Sequence, residues 1–224
     1  MFKLYDKLLQ HPLFQGLGYT DLKQIIAHTK FDFIKFNSGE TIVCAGKECN
    51  HLYMLTDGTI EISTSSLQND LTVKEWTNTP TTFQLERLFG LHQQFSSTYT
   101  AITPCSFITI DKRELMWLAE AFMVFRMNLM NLLTTLIQTN NEQKWNQNPT
   151  TLEEHIILFF INHCILPTGK KQFFILMNQL AQKLNDSRLD ISCALNNLQN
   201  LDYITLHRGR IDIPDIEKLS LYKV

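Results

Sequence analysis

The chain is poor in several features that would narrow its chemistry. Its 224 residues include eight glycines, six prolines and five cysteines, and 20 Lys+Arg against 22 Asp+Glu leave a net charge of −2. No apolar run approaches the ~20 residues that a helix needs to cross a bilayer, and no secretory signal pattern opens the chain. A soluble, cytoplasmic protein with no membrane partner is the expectation. Cys44, Cys49, Cys105, Cys164 and Cys193 are odd in number and scattered, with no Cys-x-x-Cys pair. They suggest no disulfide framework, and Cys44 with Cys49 cannot complete a four-ligand metal or iron–sulfur site. All five read as free thiols. Nothing resembles a Gly-rich phosphate loop, a His-x-x-x-His metal pair or a nucleophile elbow, so no enzyme is expected. His11, His28, His51 and His92 stand alone, and an isolated His is a poor basis for a haem site.

What is present is globular: 44% hydrophobic residues and 19% charged, with enough chain for one or two domains. The most informative stretch is Met177 to Leu198. Leu180, Ala181 and Leu184 recur at helical spacing, and Ile191, Ala194, Leu195 and Leu198 do so again. Between them lies Asn185-Asp186. Asn tolerates the left-handed backbone that a tight turn requires, and Asp186 or Ser187 can cap the second helix. Two short helices so joined form a helix-turn-helix, whose second helix characteristically enters a DNA major groove. Tyr203-Ile-Thr-Leu206 and Ile211-Asp-Ile213 then flank Arg208-Gly209-Arg210, the pattern of a hairpin. Helices plus hairpin predict a winged helix, with His207, Arg208 and Arg210 at the wing tip. From Pro167 to Val224 there are eight Lys+Arg and six Asp+Glu, a net +2, against −4 for the remainder. The asymmetry is modest and has the sign that nucleic acid requires.

The first hundred residues read differently. An amphipathic opening, Phe2 to Leu9, precedes His11-Pro12, and Thr20 is placed as the cap of a helix through Leu22, Ile25 and Ile26. Short strands follow at Phe31–Phe36, Glu40–Cys44, His51–Leu55, Thr59–Ser63, Leu71–Trp76 and Ser106–Ile110, with Asp57-Gly58 as a hairpin signal between the third and fourth. Many short strands argue for a small β-roll. From Asp111 to Lys144 no Pro or Gly interrupts a helical pattern, and Leu115, Leu118, Phe122, Phe125, Leu129, Leu132 and Leu136 follow a 3–4 alternation. Its first part can equally stand as a separate short helix on the roll. Asn146 to Pro149 is a polar break. Thr151-x-x-Glu154 has capping-box spacing, and Ile156, Ile157, Phe159, Phe160 and Ile161 supply an apolar body that Pro167-Thr-Gly169 ends.

The expected architecture is α+β. Residues 1–110 form an effector-type β-roll, 111–145 a long dimerisation helix, and 146–224 a winged helix-turn-helix. This order resembles the catabolite activator (Crp/Fnr) superfamily of bacterial transcription regulators. Phe36-Asn-Ser-Gly-Glu40, Ala45-Gly46 and Leu52-Tyr-Met-Leu-Thr-Asp-Gly58 look like its cyclic-nucleotide-binding fold, and Leu184 through Leu198 is similar to its helix-turn-helix. The resemblance implies a homodimer on palindromic double-stranded DNA, with RNA polymerase and an unidentified small-molecule effector as further partners.

It also implies sites. Nucleotide-binding members use a Gly-Glu helix start for the ribose and an Arg before Ser/Thr-Ala for the cyclic phosphate. Here Glu86 is followed, not preceded, by a glycine (Gly90), and Tyr99 occupies the Arg position ahead of Thr100-Ala101. A charge-assisted Arg–phosphate bond is the strongest contact in such a site, so no cofactor is expected and cyclic AMP is not the expected effector. Arg87 is the nearest substitute. Tyr99, Phe89 and Phe95 either line an apolar pocket or fill it. At the DNA end, Ser187 and its helix N-terminus are expected on phosphate and Arg188 on guanine. Ser192 and Asn196 lie farther along the same face, and Leu189 and Cys193 are placed to touch thymine methyls. The family often carries Glu and Arg at the positions of Leu189 and Cys193, so the operator should differ. Phe125, Leu129, Leu132 and Leu136 are the expected dimer seam.

Overall fold

The computed structural model describes residues 2–78, 80–145 and 149–222. Two compact units emerge, and neither is continuous in sequence. One comprises residues 1–60 and 78–142, the other 61–77 and 143–224. The contiguous division expected from the sequence misses this exchange of a hairpin. The expected linker at Asn146–Asn148 lies outside the described residues.

The first unit opens with α1 (Phe2–Leu9), a 3-10 turn (Pro12–Phe14) and α2 (Tyr19–His28). Thr20 does not cap α2. The cap is Gly18, whose N–H donates to Asp21 Oδ2 at 3.2 Å, and Thr20 lies inside the first turn. Strands β1 (Phe31–Phe36), β2 (Thr41–Val43) and β3 (His51–Asp57) follow. The hairpin expected at Asp57-Gly58 does not form. β3 pairs antiparallel with β8 (Cys105–Asp111) and with the two-residue β6 (Thr81–Thr82), giving a sheet ordered β1-β8-β3-β6. Gly58 serves close approach instead. A Cβ there would lie 2.6 Å from both Cys105 Sγ and the Pro104 carbonyl, and φ is +101°, a conformation that costs glycine little. β7 (Thr98–Ala101) pairs with β2.

Asp111 then starts α3 (Lys112–Ala121), accepting the N–H groups of Arg113 and Glu114. The helix stops at Phe122, whose backbone is extended (φ −123°, ψ 108°), and α4 (Met123–Trp145) begins. The break needs no Pro or Gly, because Phe122 and Phe125 turn into the unit's core.

The second unit contains β4 (Ile60–Ser65, from Glu61 on), β5 (Thr72–Thr77), α5 (Leu152–Asn162), β9 (Lys171–Phe174), α6 (Met177–Leu184), α7 (Arg188–Asn200), β10 (Thr205–His207), β11 (Arg210–Ile213) and α8 (Ile216–Ser220). The capping box holds. Thr151 Oγ1 accepts from Glu154 N, and the Glu154 carboxylate takes the N–H groups of Thr150 and Thr151. Those bonds, the one from Thr150 first, hold the Glu154 carboxyl below the ordinary range. α5 ends at Asn162, five residues ahead of Pro167. The strands run β10-β11-β9-β5-β4. Ile156, Phe160, Phe173, Leu180, Ile191, Leu195 and Leu198 form the buried centre, joined by Leu71 and Val73 of the hairpin.

Candidate nucleic-acid interface

α6 ends on Asn185, which takes the left-handed conformation (φ 55°) and donates its N–H back to the helix. Ser187 caps α7, accepting from Asp190 N at 3.1 Å. The arrangement of two helices about a tight turn, followed by the β10–β11 hairpin, is consistent with a winged helix-turn-helix. Gly209 closes the hairpin at φ +72°, and its Cβ position would lie 3.6 Å from Leu176.

The apolar face of α7, Ile191, Ala194, Leu195 and Leu198, is buried. Its opposite face carries Arg188, Leu189, Cys193 and Asn196, all exposed, with Leu189 at 73%. Ser192 is half-buried and stands at the edge of that face. Ser187 is less open to a ligand than the sequence suggests, because its hydroxyl donates to Asp190 Oδ2 at 2.6 Å while serving as the cap. Asp186 also sits at this end, accepting Ser187 N. The start of α7 is therefore acidic, and its own carboxylates already neutralise the positive end of the helix dipole.

The wing supplies basic side chains of two kinds, paired and unpaired. His207 Nε2 lies 3.3 Å from Asp212 Oδ2, and Arg210 Nε 2.9 Å from Asp212 Oδ1 in a charge contact that is not a linear hydrogen bond. Arg208, between them at the tip, is exposed. A cleft of about 350 Å³ lies between wing and helix, floored by Leu180, Leu206 and Ile211 and rimmed by Arg188, His207, Arg208 and Arg210.

In the first unit, the segment expected to hold an effector is packed with rings. Tyr99 is 2% exposed and stacks on Phe83, with centroids 4.1 Å apart. Phe95, Tyr53 and Phe107 complete the cluster at 5.4–6.4 Å. Phe89 lies apart from it, under the Lys112 ammonium at 5.0 Å. Leu85–Arg87 form a 3-10 turn in which Glu86 is exposed, and Gly90 is exposed beyond it. Arg87 is half-buried with its Nε enclosed and unbonded. Thr100 is half-buried on β7. Phe83 and Tyr53, with Phe107, were not legible as pocket residues; their spacing gives only strand alternation. Burial, and secondarily the Glu86 charge, pushes the nearby Cys49 thiol up to about 11, so it is not a reactive thiolate. Among the described residues no group of three or more His, Cys, Asp or Glu is placed to hold a metal, and no helix is long and apolar enough to span a membrane.

Of the expected dimer seam, Phe125 is fully buried within the chain, edge-on to Phe14 at 5.3 Å, and so is not open to a partner, while Leu129 and Leu132 are half-buried. Leu136 is exposed, at 42%. A further row of exposed apolar residues on α4 is Met123, Met127, Met130 and Ile137, spaced by four, three and seven residues. Asn128 pins the start of the helix by donating to the carbonyls of Leu13 and Gln15.

Residues 33–122 match the model of the cyclic nucleotide-binding domain, and the fold is that of Crp/Fnr-type regulators. The catabolite activator protein of Thermus thermophilus superimposes with a TM-score of 0.51 at 17% identity, over 93% of this chain and 96% of that one. The sensor domain of the transcriptional regulator DNR from Pseudomonas aeruginosa gives 0.52 at 19% identity, over 67% of this chain and 96% of its own. A protein described as a Crp/Fnr-family transcriptional regulator from Eubacterium rectale gives 0.50 at 17%, over 93% and 96%. No curated protein matches the sequence.

Proposed function

We propose that the protein is a DNA-binding transcriptional regulator of the Crp/Fnr type, acting as a homodimer on a palindromic operator and not answering to cyclic AMP. The observation that carries this reading is the exposed face of α7, with Arg188, Leu189, Cys193 and Asn196 beside a wing tipped by Arg208. A helix presented in this way reads base edges, Arg pairing bidentately with guanine and Asn with adenine. Two such helices in a twofold dimer would sit about 34 Å apart, one turn of DNA. The stripe Met123, Met127, Met130 and Ile137 is the surface that a second copy would cover, since a seam of exposed apolar residues at 3–4 spacing favours helix pairing. RNA polymerase and a small-molecule effector other than a cyclic nucleotide complete the partners of this reading.

The reading on cyclic AMP rests on Tyr99. Its ring takes the position that the resemblance assigns to a phosphate-binding Arg, and it is spent on stacking with Phe83. No guanidinium on β7 is available to a buried anion, and desolvating a phosphate without such a partner is costly.

A second reading is favoured by Asp186 and Asp190 at the head of α7 and by Asp212 between His207 and Arg210. These carboxylates weaken the basic footprint, as in a signalling module of the same fold that binds a protein and not DNA. Selection of genomic fragments by the purified protein separates the two. Enrichment of a palindromic sequence, with affinity falling as salt rises, supports the regulator; recovery of no sequence above background overturns it.

A further inference from the structure

Glu75 and Lys171 form an ion pair with both side chains wholly withdrawn from solvent, Nζ lying 2.8 Å from Oε1. They are 96 residues apart in sequence. The carboxylate also accepts the Ile165 N–H at 2.8 Å and the Leu166 N–H at 2.9 Å. Glu75 therefore satisfies two backbone donors beyond α5 while holding the first residue of β9. A buried charge persists only when paired and hydrogen-bonded, and here both conditions are met. Burial, then the Glu75 charge, pushes the adjoining Cys164 thiol up to about 12.

The rest of the hairpin is built in as firmly. β5 pairs with β9 from Thr72↔Phe174 to Glu75↔Lys171. Leu71 and Val73 enter the core that holds α6 and α7. Asp70, next to the turn, binds Lys183 of α6 at 2.7 Å. Across the hairpin, Lys74 meets Glu61 at 2.8 Å. Yet the residues flanking this segment, Ile60 and Asn78, belong to the other unit.

We infer that Glu61–Thr77 is a strap: a stretch of sensor sequence donated as a strand to the helix-turn-helix unit, sealed by Glu75–Lys171, whose docking holds that unit in its DNA-binding form. The inference rests on the proposed DNA-binding reading. β9 is the hub, since β5 lies along one edge, the wing strand β11 along the other, and α6 begins three residues after it. Undocking would strip a neighbouring strand from one side of β9 and leave Lys171 without its carboxylate partner. Both ends of the strap continue covalently into the cyclic-nucleotide-type domain, so a change there that pulls on Ile60 or Asn78 acts directly on β9.

The test uses full-length protein. Amide hydrogen exchange, without DNA, is compared between wild type and Glu75→Gln. Exchange in β9, α6 and α7 should accelerate roughly tenfold or more, with β1, β3 and β8 unchanged. Acceleration confined to 61–77 overturns the strap. Should Glu75→Gln fail to fold, Asp70→Ala is the milder variant and should accelerate β5 and α6 together; acceleration of β5 alone would again overturn it. The double exchange Glu75→Lys with Lys171→Glu should not rescue, because the Ile165 and Leu166 N–H groups lose their acceptor. Linkage supplies the second arm: if docking favours DNA binding, saturating operator must slow exchange at Thr72–Thr77. Exchange there unchanged by bound operator, or tighter operator binding by Glu75→Gln, refutes the inference. A protein that binds no DNA sinks the regulator reading, while the DNA-free exchange pattern still decides whether the strap is part of the unit.

Discussion

Tyr99 and Phe83 lie ring over ring, with planes 16° from parallel and centroids 4.1 Å apart. Their contact joins β7 to the segment after β6 and closes the middle of the aromatic cluster. Replacing Tyr99 by Ala should cost about 3–5 kcal/mol of stability, the range for deleting a large buried ring, measured by denaturant unfolding of the full chain. Calorimetry on the native protein should show no heat of cyclic-AMP binding at micromolar concentration; a saturable isotherm would contradict the filled pocket.

Arg188→Ala should weaken binding to a selected operator by ~1–3 kcal/mol and relax preference at the contacted base pair. A filter or fluorescence titration against the operator and single-base variants measures both effects. Arg208→Ala should weaken all sequences alike, since a wing-tip cation meets phosphate and not base edges.

Placing charge on the exposed stripe of α4 should separate subunits without unfolding them. Met127→Glu with Met130→Glu should give a monomer in sedimentation equilibrium with unchanged circular dichroism. Phe125→Ala should do the opposite, leaving assembly dependent on a protomer weakened by about 3–5 kcal/mol.

His11 is enclosed, with neither ring nitrogen in a well-formed hydrogen bond, and burial, opposed only in part by the Leu55 backbone, holds its pKa down at about 4 against an ordinary 6.5. The unfolded chain therefore takes up a proton between pH 6.5 and 4 that the native state refuses, so stability falls as pH drops through that window. The difference corresponds to roughly 3 kcal/mol, fully lost below pH 4. His11→Leu should flatten this part of the stability–pH curve in urea titrations.

Local signals were legible where the chain itself makes the bond. Thr151 and Glu154 close their capping box within four residues, Asn185 makes its turn unaided, and Arg208-Gly209 joins strands adjacent in sequence. Signals failed where a distant partner decides. Asp57-Gly58 has hairpin chemistry, but β8 competes for β3 and takes it. Lys171-Gln-Phe-Phe174 begins with a cation, and nothing nearby says that Glu75 will bury it. On α4 two apolar stripes satisfy the same 3–4 spacing. Composition cannot tell which one faces the protomer; the contact of Phe125 with Phe14 does. At the candidate interface the exposed face of α7 was legible from its buried face, whereas the engagement of Ser187 by Asp190 was not.

The acidic head of α7 has an electrolyte consequence. With Asp186 and Asp190 at its start and Asp212 between His207 and Arg210, Arg208 is the residue best placed to displace ions condensed on a duplex. A pair of subunits would then shed on the order of two counterions, a slope of about −1.8 in log K against log salt. Such a regulator would tolerate shifts in cellular osmolarity that strip more basic proteins from their sites.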